Sequence, residues 1–103
     1  MTGIDSALAA AIANFQAKRP KTEALQNRAA NVMPGGNTRT VLYTAPFPVR
    51  AAKAEGDTVT DIDGHTYLDL LGEYSAGIYG HSHPVIRQAV IAALDGGVNM
   101  GAS

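Results

Sequence analysis

The chain has 103 residues, 46% of them hydrophobic and 17% charged, which suits one domain or part of one and excludes compositional disorder. Its 9 acidic residues nearly cancel its 8 basic ones, so it lacks the positive field that holds a phosphate backbone, and no nucleic-acid partner is expected. With no cysteine, disulfides, thiolate catalysis and thiolate metal sites are excluded together.

The start, "MTGIDSALAAAIANF", is Ala-rich but has no basic leader, and Asp5 and Asn14 interrupt it. It does not read as a signal peptide and is too short to span a bilayer. A cytoplasmic protein with no membrane partner is expected. Ile4, Leu8, Ile12 and Phe15 recur at helical spacing, with Asp5 or Ser6 as cap, and Pro20 stops the run. A second short helix runs from Thr22, a candidate N-cap, to about Val32, with Leu25, Ala29 and Val32 as a thin apolar stripe. Met33-Pro34-Gly35-Gly36 ends it, because the residue before a proline resists helical angles and paired glycines favour turns.

Residues 34–48 read as a long loop with three prolines, two glycines and a lone arginine, Arg39. The middle region reads as β. Asp63-Gly64 lies between two β-prone runs, Thr58–Ile62 and Thr66–Leu71, and predicts a tight hairpin turn. Leu68 and Leu70 would share one face of that hairpin, with Tyr67, Asp69 and Leu71 on the other. A loop, "YSAGIYGHSHP", then leads to a helix that starts at Pro84 with Ser82 or His83 as cap. Its expected buried face is Ile86, Ala89, Val90, Ala93 and Leu94, and Gly96-Gly97 ends it. Four segments result: a helical extension (1–33), a gate loop (34–48), a small β segment (49–80), and a loop and helix (81–103). Two weakly amphipathic helices and a small sheet that then halt in "VNMGAS" read as a fragment, of marginal stability alone, with exposed sheet edges.

Several local patterns suggest chemistry and are outweighed by plainer readings. His81 and His83, with His65 upstream, lack a third metal ligand at convincing spacing, so turn and capping roles are the default and no metal is expected. Aligning Gly64 with the invariant glycine of a calcium loop puts Val59 and Leu70 at ligand positions, and both are apolar. "PGGNTRT" lacks the Gly-Lys-Ser/Thr ending of a phosphate loop. Asp69, Glu73 and Tyr74 could form an acid–base group, but carboxylates so spaced in a sheet region are more often structural. Arg39 is either a surface residue or a guanidinium held by a stiff loop to grip a carboxylate at two points. Composition does not choose.

The string from "PGGNTRTVLYTAPFP" through "GHSHPVIRQAV" resembles the N-terminal part of class III, fold-type I, pyridoxal-phosphate-dependent aminotransferases. The residues that carry the resemblance are the "D-x-D-G-x-x-Y-x-D" hairpin, the glycine–tyrosine loop and the "G-H-x-H-P" helix entry. Within that class it is most similar to the β-amino-acid aminotransferases typified by β-phenylalanine aminotransferase. These share "M-P-G-x-N-x-R-x-V-L", "A-P-F-P" and "E-Y-x-A-G-x-Y-G-H-S". Glutamate-1-semialdehyde 2,1-aminomutase is a neighbouring relative that departs from the Thr38–Leu42 pattern.

The resemblance implies an α/β fold. This chain would supply the incomplete N-terminal part: helices, a small antiparallel sheet, and the first helix leading to a large domain. It implies that Arg39 binds the substrate carboxylate, that Val41 lines the same pocket, and that Tyr74 and Ser75 line the active site. It implies a homodimeric enzyme that moves an amino group from an amino acid to a keto acid on pyridoxal phosphate. The family's cofactor-binding and catalytic residues fall beyond Ser103, so this chain is expected to carry no catalytic residue and to be inactive alone. Aminomutase isomerisation and a non-catalytic carboxylate- or partner-binding module are the alternatives.

Overall fold

A computed structural model describes residues 2–98. The elements, in order, are helix α1 (Gly3–Ala17), helix α2 (Pro20–Ala30), strands β1 (Ala51–Glu55), β2 (Thr58–Asp61) and β3 (Thr66–Leu68), and helix α3 (Pro84–Asp95). Short 3-10 turns occupy Pro34–Gly36, Thr40–Leu42 and Gly72–Ser75. The strands form one sheet in the order β1-β2-β3. Strands β2 and β3 are antiparallel, in a register that pairs Thr58 with Leu68, Val59 with Tyr67 and Thr60 with Thr66. The chain divides into two compact units, one of residues 1–52 with 61–65 and the other of residues 53–60 with 66–103.

The cap of α1 is Thr2, ahead of the expected Asp5 or Ser6. Its hydroxyl accepts from the Asp5 amide, and the Asp5 carboxylate accepts from the Thr2 amide, which closes a capping box. Pro20 both ends the first run and starts α2 at its first position, where its missing N–H costs nothing. Thr22, the expected cap, therefore lies inside α2, three residues past the observed cap, Arg19. No side chain of the neighbouring residues caps α2.

In the first unit the apolar centre is small. Phe47 and the adjoining Pro48 are buried, the Phe47 ring lies 5.2 Å from that of Phe15, and the Arg19 guanidinium lies 4.2 Å from the Phe15 ring centre. Buried polar residues accompany them: Thr22, Gln26 and Asp61.

The tight hairpin turn expected at Asp63-Gly64 begins one residue earlier, at Ile62. The Asp61 amide donates to the His65 carbonyl, which leaves Ile62, Asp63 and Gly64 as the turn, and of these only Gly64 takes a positive φ, 96°. The cause is Asp61, whose carboxylate accepts from the amides of Asp63 and His65 and so winds the chain around itself. Strand β3 ends at Leu68, so the expected run to Leu71 is also shorter.

The expected buried face of α3 is a further correction. No residue of α3 is buried, and Ile86, Val90 and Leu94 are 44%, 53% and 58% exposed. Periodicity reports which face of a helix is apolar; burial also needs something packed on it, and no described residue covers this face.

Candidate functional site

The loop that carries Arg39 is tied down at its start by two side chains brought from different parts of the first unit. The Gln26 side-chain amide donates to the Gly35 carbonyl at 3.0 Å, and the Arg50 guanidinium donates both to Gln26 and to the Gly36 carbonyl. Gly36 has a φ of 66°, and a Cβ there would lie 2.4 Å from the Gln26 amide nitrogen and 3.1 Å from the Ala30 nitrogen. Only glycine allows so close an approach of the loop to α2. Further on, the Tyr43 hydroxyl donates to the Pro46 carbonyl at 3.2 Å.

Between these anchors Arg39 is extended and exposed, immediately before the 3-10 turn Thr40–Leu42, with its carbonyl accepting from the Leu42 amide. Val41 lies on that turn and is 69% exposed. The two residues thus share one short segment that offers a cation beside an apolar side chain, the pairing that suits a carboxylate with an apolar substituent.

Tyr74 and Ser75 belong to the second unit, on a local structure that the sequence does not announce. Gly72, Glu73, Tyr74 and Ser75 have φ of 54°, 50°, 54° and 80°, one continuous left-handed turn. Three of the four are not glycine, and each such residue costs roughly 1–2 kcal/mol relative to the right-handed form. Asp69 stands at the base of the turn. Its carboxylate accepts from the amides of Leu71 and Gly72 and from His81 Nε2 at 2.7 Å. The Gly77 amide closes the turn on the Gly72 carbonyl at 2.8 Å. The Gly72 amide, with His81 and the Leu71 amide, holds the Asp69 carboxyl below its ordinary value. Arg39 and Val41 therefore lie in one unit, Tyr74 and Ser75 in the other.

In the sequence Asp69 is a candidate acid–base group and His81 a candidate ligand. The structure joins them to each other and to the turn. The available signal was an aspartate followed three residues later by glycine, the pattern of a side chain that accepts from amides just ahead of it. Each of the two other singled-out histidines has a neighbour of its own: His65 Nδ1 lies 3.0 Å from Asp61, and the His83 ring meets Tyr79 edge-on.

The described residues do not fit pyridoxal phosphate. Lys18, Lys21 and Lys53 are all exposed, on a helix end, a helix and a strand. The N-terminal amides of α2, where a phosphate could be held, are taken by the Asp63 carboxylate. Asp69 is engaged with its two amides and His81.

Comparison with known proteins matches residues 42–101 to the family described as aminotransferase class-III. The chain is 48% identical over 97 residues to β-phenylalanine transaminase from Variovorax paradoxus, covering 94% of this chain and 22% of that protein. The crystal structure of a β-phenylalanine aminotransferase from Variovorax paradoxus superposes with a TM-score of 0.92 at 46% identity, over 98% of this chain and 24% of that one. A transaminase solved with PLP bound is 42% identical with a TM-score of 0.76, over 81% of this chain and 20% of the other. Glutamate-1-semialdehyde 2,1-aminomutase from Methanococcoides burtonii is 38% identical over 77 residues, 75% of this chain and 18% of the relative. The chain spans about a fifth of the length of the curated relatives it matches.

Proposed function

Because the chain belongs to the class-III aminotransferase family, with the fold of the N-terminal part of that family's structures, we propose that it is the substrate-recognition portion of a pyridoxal-phosphate-dependent aminotransferase acting on a β-amino acid. The observation that carries this reading is the 48% identity to a β-phenylalanine transaminase over 94% of the chain. The weaker likeness to an aminomutase, 38% over 75% of the chain, makes isomerisation the lesser reading. No helix among the described residues is long and apolar enough to cross a membrane. We assign the intact enzyme to the cytoplasm, as a homodimer, with an amino acid and a keto acid as its small-molecule partners.

In this reading Arg39 grips the substrate carboxylate through two parallel N–H donors, which fixes the position and the orientation of the substrate together. Val41, two residues on, gives the apolar substituent a surface to leave water against. Tyr74 and Ser75, in the second unit, offer hydroxyls as substrate-lining residues of their own segment. Pyridoxal phosphate supplies the electron sink of the family's chemistry. It has no place among the described residues, so this chain's share is binding and orientation, and by itself it is inactive.

The test is a steady-state assay of the complete polypeptide with β-phenylalanine and a keto acid acceptor. Arg39→Ala is expected to lower kcat/KM by about 2–3 kcal/mol, the scale of a lost charge-assisted pair, with bound cofactor unchanged. Equal kinetics in the two proteins would remove Arg39 from the site. Absence of amino transfer in the unmodified protein would remove the function.

A further inference from the structure

The left-handed turn at Gly72–Ser75 is disfavoured by its own residues, so something outside it must select it. The candidate is close at hand. Asp69 accepts both amides that enter the turn, from Leu71 at 2.9 Å and from Gly72 at 3.0 Å, and its other oxygen accepts from His81 Nε2 at 2.7 Å. His81 is itself fixed, since its amide donates to the Gly56 carbonyl at 2.9 Å and the next residue, Ser82, accepts from the Gly56 amide at 3.0 Å. Gly80 permits this approach: its φ is 80°, and a Cβ there would lie 2.7 Å from the Gly56 carbonyl oxygen. One carboxylate therefore joins the start of the loop at 71–72 to its end at 81, and the loop end is anchored to the turn between β1 and β2.

We propose that Asp69, braced by His81, is a positioning residue that holds the left-handed turn and thereby sets Tyr74 and Ser75 for substrate. The inference rests on the reading of Tyr74 and Ser75 as substrate-lining residues. Asp69 touches no reacting group; it acts through the backbone of the turn. A free carboxylate in solution would leave the turn to relax to the right-handed form, and Tyr74 would point elsewhere.

The experiment uses the complete polypeptide with Asp69→Ala, Asp69→Asn and the double variant Asp69→Ala/Glu73→Gly. Hydrogen exchange over residues 70–77 is expected to speed up about ten-fold or more in Asp69→Ala, with residues 3–17 unchanged. The KM for the amino acid is expected to rise about ten-fold while kcat changes less than about two-fold, since the lost interaction positions substrate. Asp69→Asn keeps an acceptor for the amides and is expected to recover part of both effects. It also serves if Asp69→Ala fails to fold. Glycine enters the left-handed region freely, so Glu73→Gly should lower the KM of the Asp69→Ala protein.

Unchanged exchange over 70–77 in Asp69→Ala overturns the clamp, whatever the activity. Faster exchange with unchanged KM overturns the positioning role and leaves a structural one. If the unmodified protein moves no amino group, the functional reading fails separately, and the exchange data alone decide the clamp.

Discussion

Asp63 caps helix α2 from a distance of 41 residues in sequence: its carboxylate accepts from the Thr22 hydroxyl at 2.6 Å and from the Thr22 amide at 2.9 Å. The Lys21 amide adds a third bond at 2.9 Å. The helix lacks a side-chain cap from its own neighbours, and the hairpin turn supplies one. Asp61, 2% exposed, winds that turn and pairs with Arg19 at 3.7 Å and with His65. The Asp-x-Asp-Gly motif thus has separate physical tasks for its parts: the first aspartate shapes the turn, the second caps a remote helix, and the glycine takes the positive φ.

Thr22→Val should destabilise the protein by about 1–2 kcal/mol, because it deletes one bond to a charged acceptor and preserves side-chain shape. Urea unfolding of the complete polypeptide checks this. Thr22 is fully buried, so a loss of packing is not the cause if Val fits as well. An unchanged midpoint would show that the two amides alone suffice as partners for Asp63.

Stability should fall in acid for an identifiable reason. At Asp5 the Thr2 hydroxyl and amide lower the carboxyl. At Asp63 desolvation pushes upward, but the Thr22 hydroxyl and the amides of Lys21 and Thr22 outweigh it, and the net shift is down. Asp69 is lowered by the Gly72 amide, then His81 and the Leu71 amide. Each folded value lies below the unfolded one, so the unfolded chain takes up its proton first as pH falls. The stabilisation is complete well above the ordinary value of 3.8 and is lost as pH drops through the lower folded values. The melting temperature should therefore decline below about pH 4. Asp63→Asn and Asp69→Asn should each make that decline shallower, and profiles parallel to the unmodified protein in both would refute the assignment.

Two glycines should respond in opposite ways to alanine. Gly80→Ala places a Cβ 2.7 Å from the Gly56 carbonyl at a φ of 80° and should cost roughly 2–3 kcal/mol. Gly3, in the first turn of α1 with nothing within 4 Å of an added Cβ, should accept alanine with a gain of up to about 1 kcal/mol. Comparing the two midpoints in one denaturant series tests the structure around residue 80 directly.

Arg50 is expected to hold the start of the loop that follows α2. Arg50→Ala removes the single guanidinium nitrogen that donates both to Gln26 and to the Gly36 carbonyl, and should cost about 1–3 kcal/mol. Faster hydrogen exchange at residues 34–37 would mark the loop as the place affected. Equal exchange would place the role of Arg50 elsewhere.

Much of the local structure was legible in the sequence. The apolar period gave α1 and α3, Pro84 and Gly96-Gly97 gave the limits of α3, and the loop from Pro34 stood out by its prolines and glycines. The strings around Arg39, Asp61 and Tyr74 carried the family resemblance, because motifs survive as residue types at fixed spacing. These are short-range properties, and a linear string records them. The tertiary structure decided what depends on partners far along the chain. It made Asp63 the cap of α2, left the apolar face of α3 uncovered among the described residues, and turned Asp69 and His81 into a brace. It also put Glu73, Tyr74 and Ser75 into left-handed backbone, which local propensity assigns to none of them. Their conformation is stabilised by a carboxylate and by anchoring at Gly56, and no rule of neighbouring residues contains that interaction.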